Sequence, residues 1–522
     1  MGKVRSTPVP ALFALFLLLI GVAWALADPP GAGPDEPAHY IKALGVGGGD
    51  LYGRSLGGPT PAEVRALTNT RRSPEELAQL KAFLGRKPSA GALWQRRTSR
   101  EFAVPAGLSF SAFGCGYQND DNWSCLDEGE SSATATDRPT YVGTYQPYMY
   151  AAPGLVMRAV GESQTAMRLG RLVNAAVSFG LLVVAALVLW DRSRGALSLV
   201  GLMVAVTPAV VFFASILNPS GPELTSAICF AACLLRLTRT TECPGWVWLA
   251  CGGSGAVLGL SRSLGPVFVV LLVAAVVVLA GWRGAAAVLK AAPRRSAATA
   301  AMIAIACAAG AFWEREYQPH VPWGPGTILD GLDPSIDNLP HLPKQAVGVF
   351  GGTDIYMPLT FYIVWWLMLA ALLAAAFYVG RGLERASLPA LAVAIVLATL
   401  GLSAVYRQVG YELTARYILP FAMLLPLWAG ELLSRRRDPL HPRAARTLII
   451  AVAVGAAAVH AVAWYTHGRR VSVGVDGNWL FAPDAGWVPP LGWWAWIAVV
   501  LAAAGAYVLA GLRAGEAVRS SA

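Results

Sequence analysis

Charge is scarce in this sequence. Asp, Glu, Lys and Arg supply 14% of its 522 residues, where an ordinary soluble domain carries about 25%. That shortage excludes a chain bathed in water over its whole length, and 55% hydrophobic residues with a mean hydropathy of +0.51 say the same. Lysine is rarer still, 6 residues against 35 arginines, which together with abundant Ala and Gly fits a GC-rich bacterial genome. The seven cysteines show no metal-ligand spacing. No repeat relates the two halves, so an inverted-repeat transporter finds no support.

Apolar runs of bilayer-spanning length are what the sequence has instead. Twelve spans are expected near 9–27, 167–190, 196–216, 222–238, 246–261, 264–281, 297–313, 357–379, 387–405, 418–434, 447–465 and 491–511. The fold class is therefore an all-α polytopic membrane protein with about 12 transmembrane helices. A net charge of +10 would suit a polyanion partner, but its placement does not. With these spans, 19 Lys and Arg fall on one side, whereas the opposite side holds seven beyond the first loop. The positive-inside rule then puts both termini in the cytoplasm, and the basic excess is a topology signal with no nucleic-acid partner behind it. Acidic residues distribute oppositely, 25 of 31 outside. The first span begins basic and ends in "ALA" before Asp28, as a signal peptide would. We read it as a retained signal anchor, 1–27.

Extracytoplasmic mass gathers early. Residues 28–165 form a 138-residue outer loop, followed by spans 2–7 (166–313), a loop at 314–356, spans 8–11 (357–465), a loop at 466–490, and the last span with its cytoplasmic tail (491–522). Within the first loop "SPEELAQLKAFLGR" opens with a capping box, Ser73 to Glu76, with Pro74 at the first helical position. "YQPYMYAAPGLVMRAVG" (145–161) is apolar but too short to span, and is expected to be an interfacial or re-entrant helix. Cys115 and Cys125 flank a short polar segment in an oxidising compartment, so a disulfide between them is expected. Trp365, Trp366, Trp493, Trp494 and Trp496 sit near outer ends, as an aromatic belt would.

Two clusters carry chemistry. In "PDEPAHY" a helix beginning near Pro34 makes Asp35 and His39 one i,i+4 pair and Glu36 and Tyr40 another. A carboxylate there can serve as general base to a sugar hydroxyl, with His39 and Lys42 near enough to steady a phosphate. The bland alternative is an acidic helix start answering the helix dipole. In "YRQVGYELTARYILP" (406–420), Arg407 and Arg416 stand at the outer end of the tenth span with Tyr411, Glu412 and Tyr417. Arginine there suits a lipid phosphate, gripped bidentately, unless it only snorkels. Weaker candidates are Asn218, Ser220 and Glu223 in "ILNPSGPEL", and Arg262 in a short outer turn, a costly place for a lone cation. Asp120, Asp121 and Asp127 could take a divalent cation, Mg2+ or Mn2+, although a solvated acidic loop is the simpler view. No other cofactor is expected.

An acidic motif just after the first span, a large first outer loop and many further spans resemble the GT-C glycosyltransferases. More narrowly, "PDEPAHY", "YQPYMY", "RLGRLVNA", "ILNPSG" and "ARYILPF" resemble motifs of a bacterial family of predicted integral membrane proteins, from residue 34 to about 421. The resemblance implies a membrane enzyme moving a sugar from a polyprenyl-phosphate donor to a cell-envelope glycan, lipid or protein acceptor outside the bacterial plasma membrane. It implies Asp35 as catalytic base with Glu36 as neighbour or substitute, and His39, Lys42, Arg262, Arg416 and Tyr417 around the donor phosphate. Tyr145, Gln146, Tyr148, Asn218, Glu223 and Arg407 are then substrate contacts, and inversion at the anomeric carbon is expected. The sequence departs at "NPS", where the family pattern has an acid, and at "TARY", which lacks a glycine. Rival classes are a transporter or flippase of lipid-linked sugars, a polysaccharide polymerase or ligase, and a non-catalytic scaffold. The first two are disfavoured by bulk placed after the first span.

Overall fold

The computed structural model describes residues 8–56, 95, 97–118, 122–190, 195–240, 242–318, 336, 339–408, 412–435 and 440–520. The capping-box helix expected at 73–86 lies outside the described residues, as do Asp120, Asp121 and Tyr411.

Helix α1 (Val9–Ala27) has apolar residues all round and no basic or acidic residue in its end turns, the composition of a buried or membrane-crossing helix. It stops where Asp28 turns extended. After a tight loop, α2 (Glu36–Gly47) begins the segment expected outside, here called the outer segment. A three-stranded antiparallel sheet follows, β1 (Arg54–Ser55), β2 (Arg100–Val104) and β3 (Thr136–Thr140), in the order β1-β2-β3, with Arg100 opposite Thr140 and Val104 opposite Thr136. These strands are a small addition to an otherwise helical fold. They are two to five residues long, and Pro139 interrupts the third, so their pattern is too short to read in sequence. The apolar segment 145–161 forms helix α3 (Tyr148–Met157). It lies directly on α2: a Cβ on Gly154 would stand 2.0 Å from the Ala43 carbonyl oxygen, so only glycine allows that approach.

Helix α4 (Ser163–Leu189) is capped by Glu162, whose carboxylate accepts from the Gln164 and Thr165 amides at 2.7 and 2.6 Å. Next come α5 (Gly195–Ala205), α6 (Pro208–Ser215), α7 (Ser220–Arg239), α8 (Gly245–Gly259), α9 (Gly265–Ala280), α10 (Trp282–Ala291) and α11 (Pro293–Tyr317). The chain continues through α12 (Leu342–Val347), the ribbon β4–β5 (Val349–Phe350 and Ile355–Tyr356), α13 (Leu359–Val379) and α14 (Leu383–Gln408). It ends with α15 (Leu419–Ala422), α16 (Leu424–Arg435), α17 (Pro442–Val473) and α18 (Gly492–Ser520).

Each of the twelve expected spans coincides with helix, but they are not twelve equal spans. Among the described residues seven single helices are long and apolar enough to cross a bilayer, namely α1, α4, α11, α13, α14, α17 and α18. Two bent pairs, α5–α6 at 68° and α9–α10 at 105°, raise the number to nine. The first bend falls at Thr207-Pro208, where the threonine hydroxyl caps α6 through the Val210 amide. The segments expected at 222–238, 246–261 and 418–434 fall short for different reasons. Helix α7 carries Glu223, Arg236 and Arg239, α8 has only 15 residues, and the third is broken into α15 and α16. Both α7 and α16 are sheathed by other helices, so neither has to match lipid.

The bundle forms one continuous apolar core. A second cluster, including Tyr40, Leu44, Val104, Leu108, Tyr150, Met157, Met167 and Leu217, cements the outer segment onto the ends of α4 and α7. Cys115 and Cys125 form a disulfide. Among the described residues no group of three or more His, Cys, Asp or Glu is set to hold a metal ion.

Candidate active site

The loop between α1 and α2, "DPPGAGPDE", has almost no hydrogen-bonding side chains of its own until its last two residues. One cation ties much of it together. Arg171, fully buried on α4, donates to the Glu36 carboxylate at 2.7 and 2.5 Å and to the Asp28 and Pro29 carbonyls at 2.7 and 2.8 Å. It also lies 3.1 Å from the Asp28 carboxylate, which takes a 2.5 Å contact from His467 of α17. Glu36 further accepts from the Gly31, Gly33 and Leu217 amides at 3.1, 3.2 and 2.8 Å. Both its oxygens are therefore occupied, and Glu36 is a structural anion that leaves no oxygen for a transferring proton.

Asp35 is the opposite case. Its backbone sits in the left-handed region (φ 61°), which aspartate tolerates better than most residues, and its side chain does not cap α2. Its carboxylate is instead engaged away from the α2 amides. The carboxylate turns toward a polar cavity of about 380 Å³ bounded by the outer segment and the ends of α7, α9, α11 and α14. There it accepts from the Tyr141 hydroxyl at 2.8 Å and pairs with Arg416 at 2.9 Å. Burial would raise its pKa, but Arg416, His39 and the hydrogen bonds from Tyr141 and Arg416 outweigh that and hold it down at about 2. Asp35 is ionised at any physiological pH.

The two arginines flank Tyr417. Arg416 belongs to a single 3-10 turn, Ala415–Tyr417, and donates to the Tyr417 hydroxyl at 3.2 Å. Arg262, in the turn between α8 and α9, stacks 4.7 Å from the Tyr417 ring and 5.6 Å from Tyr145, and donates to Ser220 at 2.9 Å. Glu223, in the first turn of α7, lies 3.7 Å from Arg262. Burial favours the neutral phenol of Tyr417, yet Arg416 and Arg262 bring it below its ordinary pKa. Asp35, Tyr145, Gln146, Glu223, Arg262, Arg416 and Tyr417, scattered over 383 positions of the sequence, thus meet in one cavity.

Four of the sequence candidates stand elsewhere. His39 bonds through Nδ1 to the Tyr150 hydroxyl at 2.7 Å. Burial foremost, with Arg262 and Arg416 and against Asp35, pushes its pKa down to about 3, so it is neutral and offers a phosphate no charge. Lys42 donates to the Leu51 and Gly143 carbonyls, both at 2.7 Å, beneath the Phe102 and Trp313 rings, tying the end of α2 to the sheet. Burial, aided by Arg100 and opposed by Asp50, lowers its pKa to about 7. Tyr148 reaches the Ala309 carbonyl at 3.4 Å, and Asn218 holds the Pro34 carbonyl at 3.0 Å and the Ser220 amide at 2.9 Å. Asn218 serves the fold of the acidic loop without lining the cavity. The side chain of Arg407 lies outside the described residues.

Sequence reasoning passed over Tyr141, Glu314, Gln318 and Tyr406, which line the cavity, and Arg171, which shapes the loop. An arginine amid an apolar helix is itself a signal, since such a charge must find a partner. The others carry no comparable mark.

Comparison with known proteins adds the following. No curated protein matches the sequence. Two crystal structures of ArnT from Cupriavidus metallidurans resemble the chain at low similarity. The apo form is 15% identical, with 72% of this chain and 67% of that one covered and a TM-score of 0.36. The form bound to undecaprenyl phosphate is 13% identical, with 72% and 68% covered and a TM-score of 0.35. A family described as "Predicted membrane protein (DUF2142)" matches residues 18–425, a stretch that contains every residue lining the cavity. The chain is a multi-pass membrane protein that belongs to this family.

Proposed function

We propose that the chain is a membrane glycosyltransferase that moves a sugar from a polyprenyl-phosphate donor to a hydroxyl of a cell-envelope acceptor, on the extracytoplasmic face of a bacterial plasma membrane. The observation that carries the proposal is an ionised carboxylate, Asp35, in the same cavity as two nearly buried arginines, Arg262 and Arg416. A lipid-linked donor keeps its phosphate at headgroup level, so base and cations have to gather at the helix ends, as they do here.

The chemistry needs little beyond position and charge. Asp35 takes the proton of the acceptor hydroxyl as that oxygen attacks the anomeric carbon, and the bond from that carbon to the phosphate oxygen breaks. The departing phosphate gains negative charge, which Arg262 and Arg416 are placed to stabilise. A single displacement inverts the anomeric centre. Arg416 is bound to Asp35, which lowers the basicity of the carboxylate. A donor phosphate drawing Arg416 toward itself releases the carboxylate, so the base becomes stronger once the donor is in place.

Sugar transfer from a panel of polyprenyl-phosphate sugars, by membranes carrying the protein, tests the proposal. Asp35→Asn should lower transfer by about 10²–10⁴-fold, the usual contribution of a general base, at an unchanged level of inserted protein. Consumption of no donor, or equal consumption by wild type and Asp35→Asn, would leave a flippase or carrier of lipid-linked sugars as the better account.

A further inference from the structure

The cavity lining carries two chemically different sets of groups. One carries the ion pair of Asp35 and Arg416 with Arg262 close by. The other is built from three acceptors on three separate elements: Gln146 ahead of α3, Glu223 in the first turn of α7, and Glu314 in the last turn of α11. Each carries a buried oxygen with no hydrogen-bond partner, Gln146 Oε1, Glu223 Oε2 and Glu314 Oε2. Gln146 and Glu223 are only 3% and 2% exposed. The Gln146 amide nitrogen is engaged with the Gly310 carbonyl at 3.4 Å, which orients the group and leaves its oxygen over.

Buried polar groups are nearly always paired, and an unpaired one costs stability. Glu223 Oε2 has only the Arg262 guanidinium, at 3.7 Å, and Gln146 Oε1 and Glu314 Oε2 have no hydrogen-bond partner, so together the three mark a surface that a donor-rich ligand completes. Phosphate is the wrong occupant for this set, since its oxygens are acceptors and donate nothing to the Gln146 oxygen or to a carboxylate. An apolar tail would leave all three oxygens unmatched. A ring carrying several hydroxyls supplies what is missing, one O–H for each. Resting on the donor assignment made above, we infer that Gln146, Glu223 and Glu314 form the sugar subsite and hold the transferred ring by its hydroxyl groups. Glu314 thereby becomes a specificity residue, and the phosphate and the sugar of one donor divide between the two sets of groups.

Binding to the purified full-length chain in nanodiscs tests the assignment without requiring turnover. The probes are undecaprenyl phosphate alone and the same lipid phosphate carrying glucose or mannose. At least one sugar-bearing lipid should bind about tenfold or more tightly than the bare lipid, as two or three net hydrogen bonds allow. Gln146→Leu and Glu314→Leu should each remove about five- to tenfold of that advantage while leaving the bare lipid unaffected, and Glu314→Gln, which keeps one acceptor, should restore part of it. Singly deoxygenated sugars on the wild-type protein reproduce the loss without any mutation. Combined with the matching variant they should lose nothing further, which separates a lost contact from a misfolded protein. If wild type binds the bare and sugar-bearing lipids and the variants change neither, the subsite is overturned and the donor-phosphate assignment stands. If wild type binds neither lipid, that assignment fails and the subsite fails with it.

Discussion

At the scale of single residues, the site separates charges that act from charges that hold. Asp35 and Glu36 are neighbours of the same chemical type, yet one is a third exposed in a cavity and the other is locked beneath Arg171. His39 shows how far burial can move a titration. It is ordinarily half protonated at 6.5, and here its pKa falls to about 3, because burial and the nearby Arg262 and Arg416 disfavour a further cation more than Asp35 favours it. Between those values the unfolded chain binds one more proton than the folded one, so the contribution to stability is complete above pH 6.5 and is lost as the pH falls toward 3. At pH 5 the loss is about 2 kcal/mol. Thermal melting of the detergent-solubilised protein at pH 7.5 and 5.0 should therefore show a drop that is visibly smaller in His39→Gln. Equal drops in the two proteins would mean that His39 already carries its proton in the folded state.

At the scale of elements, Arg171 is the joint of the site. One guanidinium binds the end of α1, the loop, the start of α2 and, through Glu36, the Leu217 amide ahead of α7. Replacing it with methionine leaves Asp28 and Glu36 buried without their cation, a kind of change that costs about 3–5 kcal/mol. We expect Arg171→Met to melt well below wild type and to lose donor binding. Arg171→Lys, a point charge without the planar fork, should recover only part of either. An unaltered melting temperature in Arg171→Met would show that the loop is shaped by its backbone alone. This joint also marks where legibility in the sequence stops. Local composition decides whether a segment belongs in lipid, and so α1 was expected at 9–27 and is found there. "PDEPAHY" and "ARY" were legible because charge at a helix mouth is conspicuous. The meeting of Arg171 with Glu36, 135 positions apart, or of Gln146 with α11, is decided by packing among helices. No periodicity records it, and short strands such as β2 and β3 leave no pattern long enough to recognise.

At the scale of the whole molecule, the proposal depends on which side of the membrane the cavity faces. The proposal places it outside, and two independent features are consistent with that. The distribution of Lys and Arg is the one expected if the 28–165 segment lies on the extracytoplasmic side. The same segment contains the Cys115–Cys125 disulfide, which persists in oxidising compartments and is rare in the cytosol. The remaining cysteines suit a labelling experiment, since Cys229, Cys233, Cys243 and Cys251 are buried and only Cys307 is partly accessible. In a Cys307→Ser background, a cysteine at Ser131, exposed beside the sheet, should react with a membrane-impermeant maleimide in intact cells. One at Arg283, exposed on α10 at the other end of α9, should react only after permeabilisation. The reverse pattern would turn the cavity toward the cytoplasm. The disulfide would then sit in a reducing compartment, and an envelope acceptor would lie on the wrong side of the membrane from Asp35.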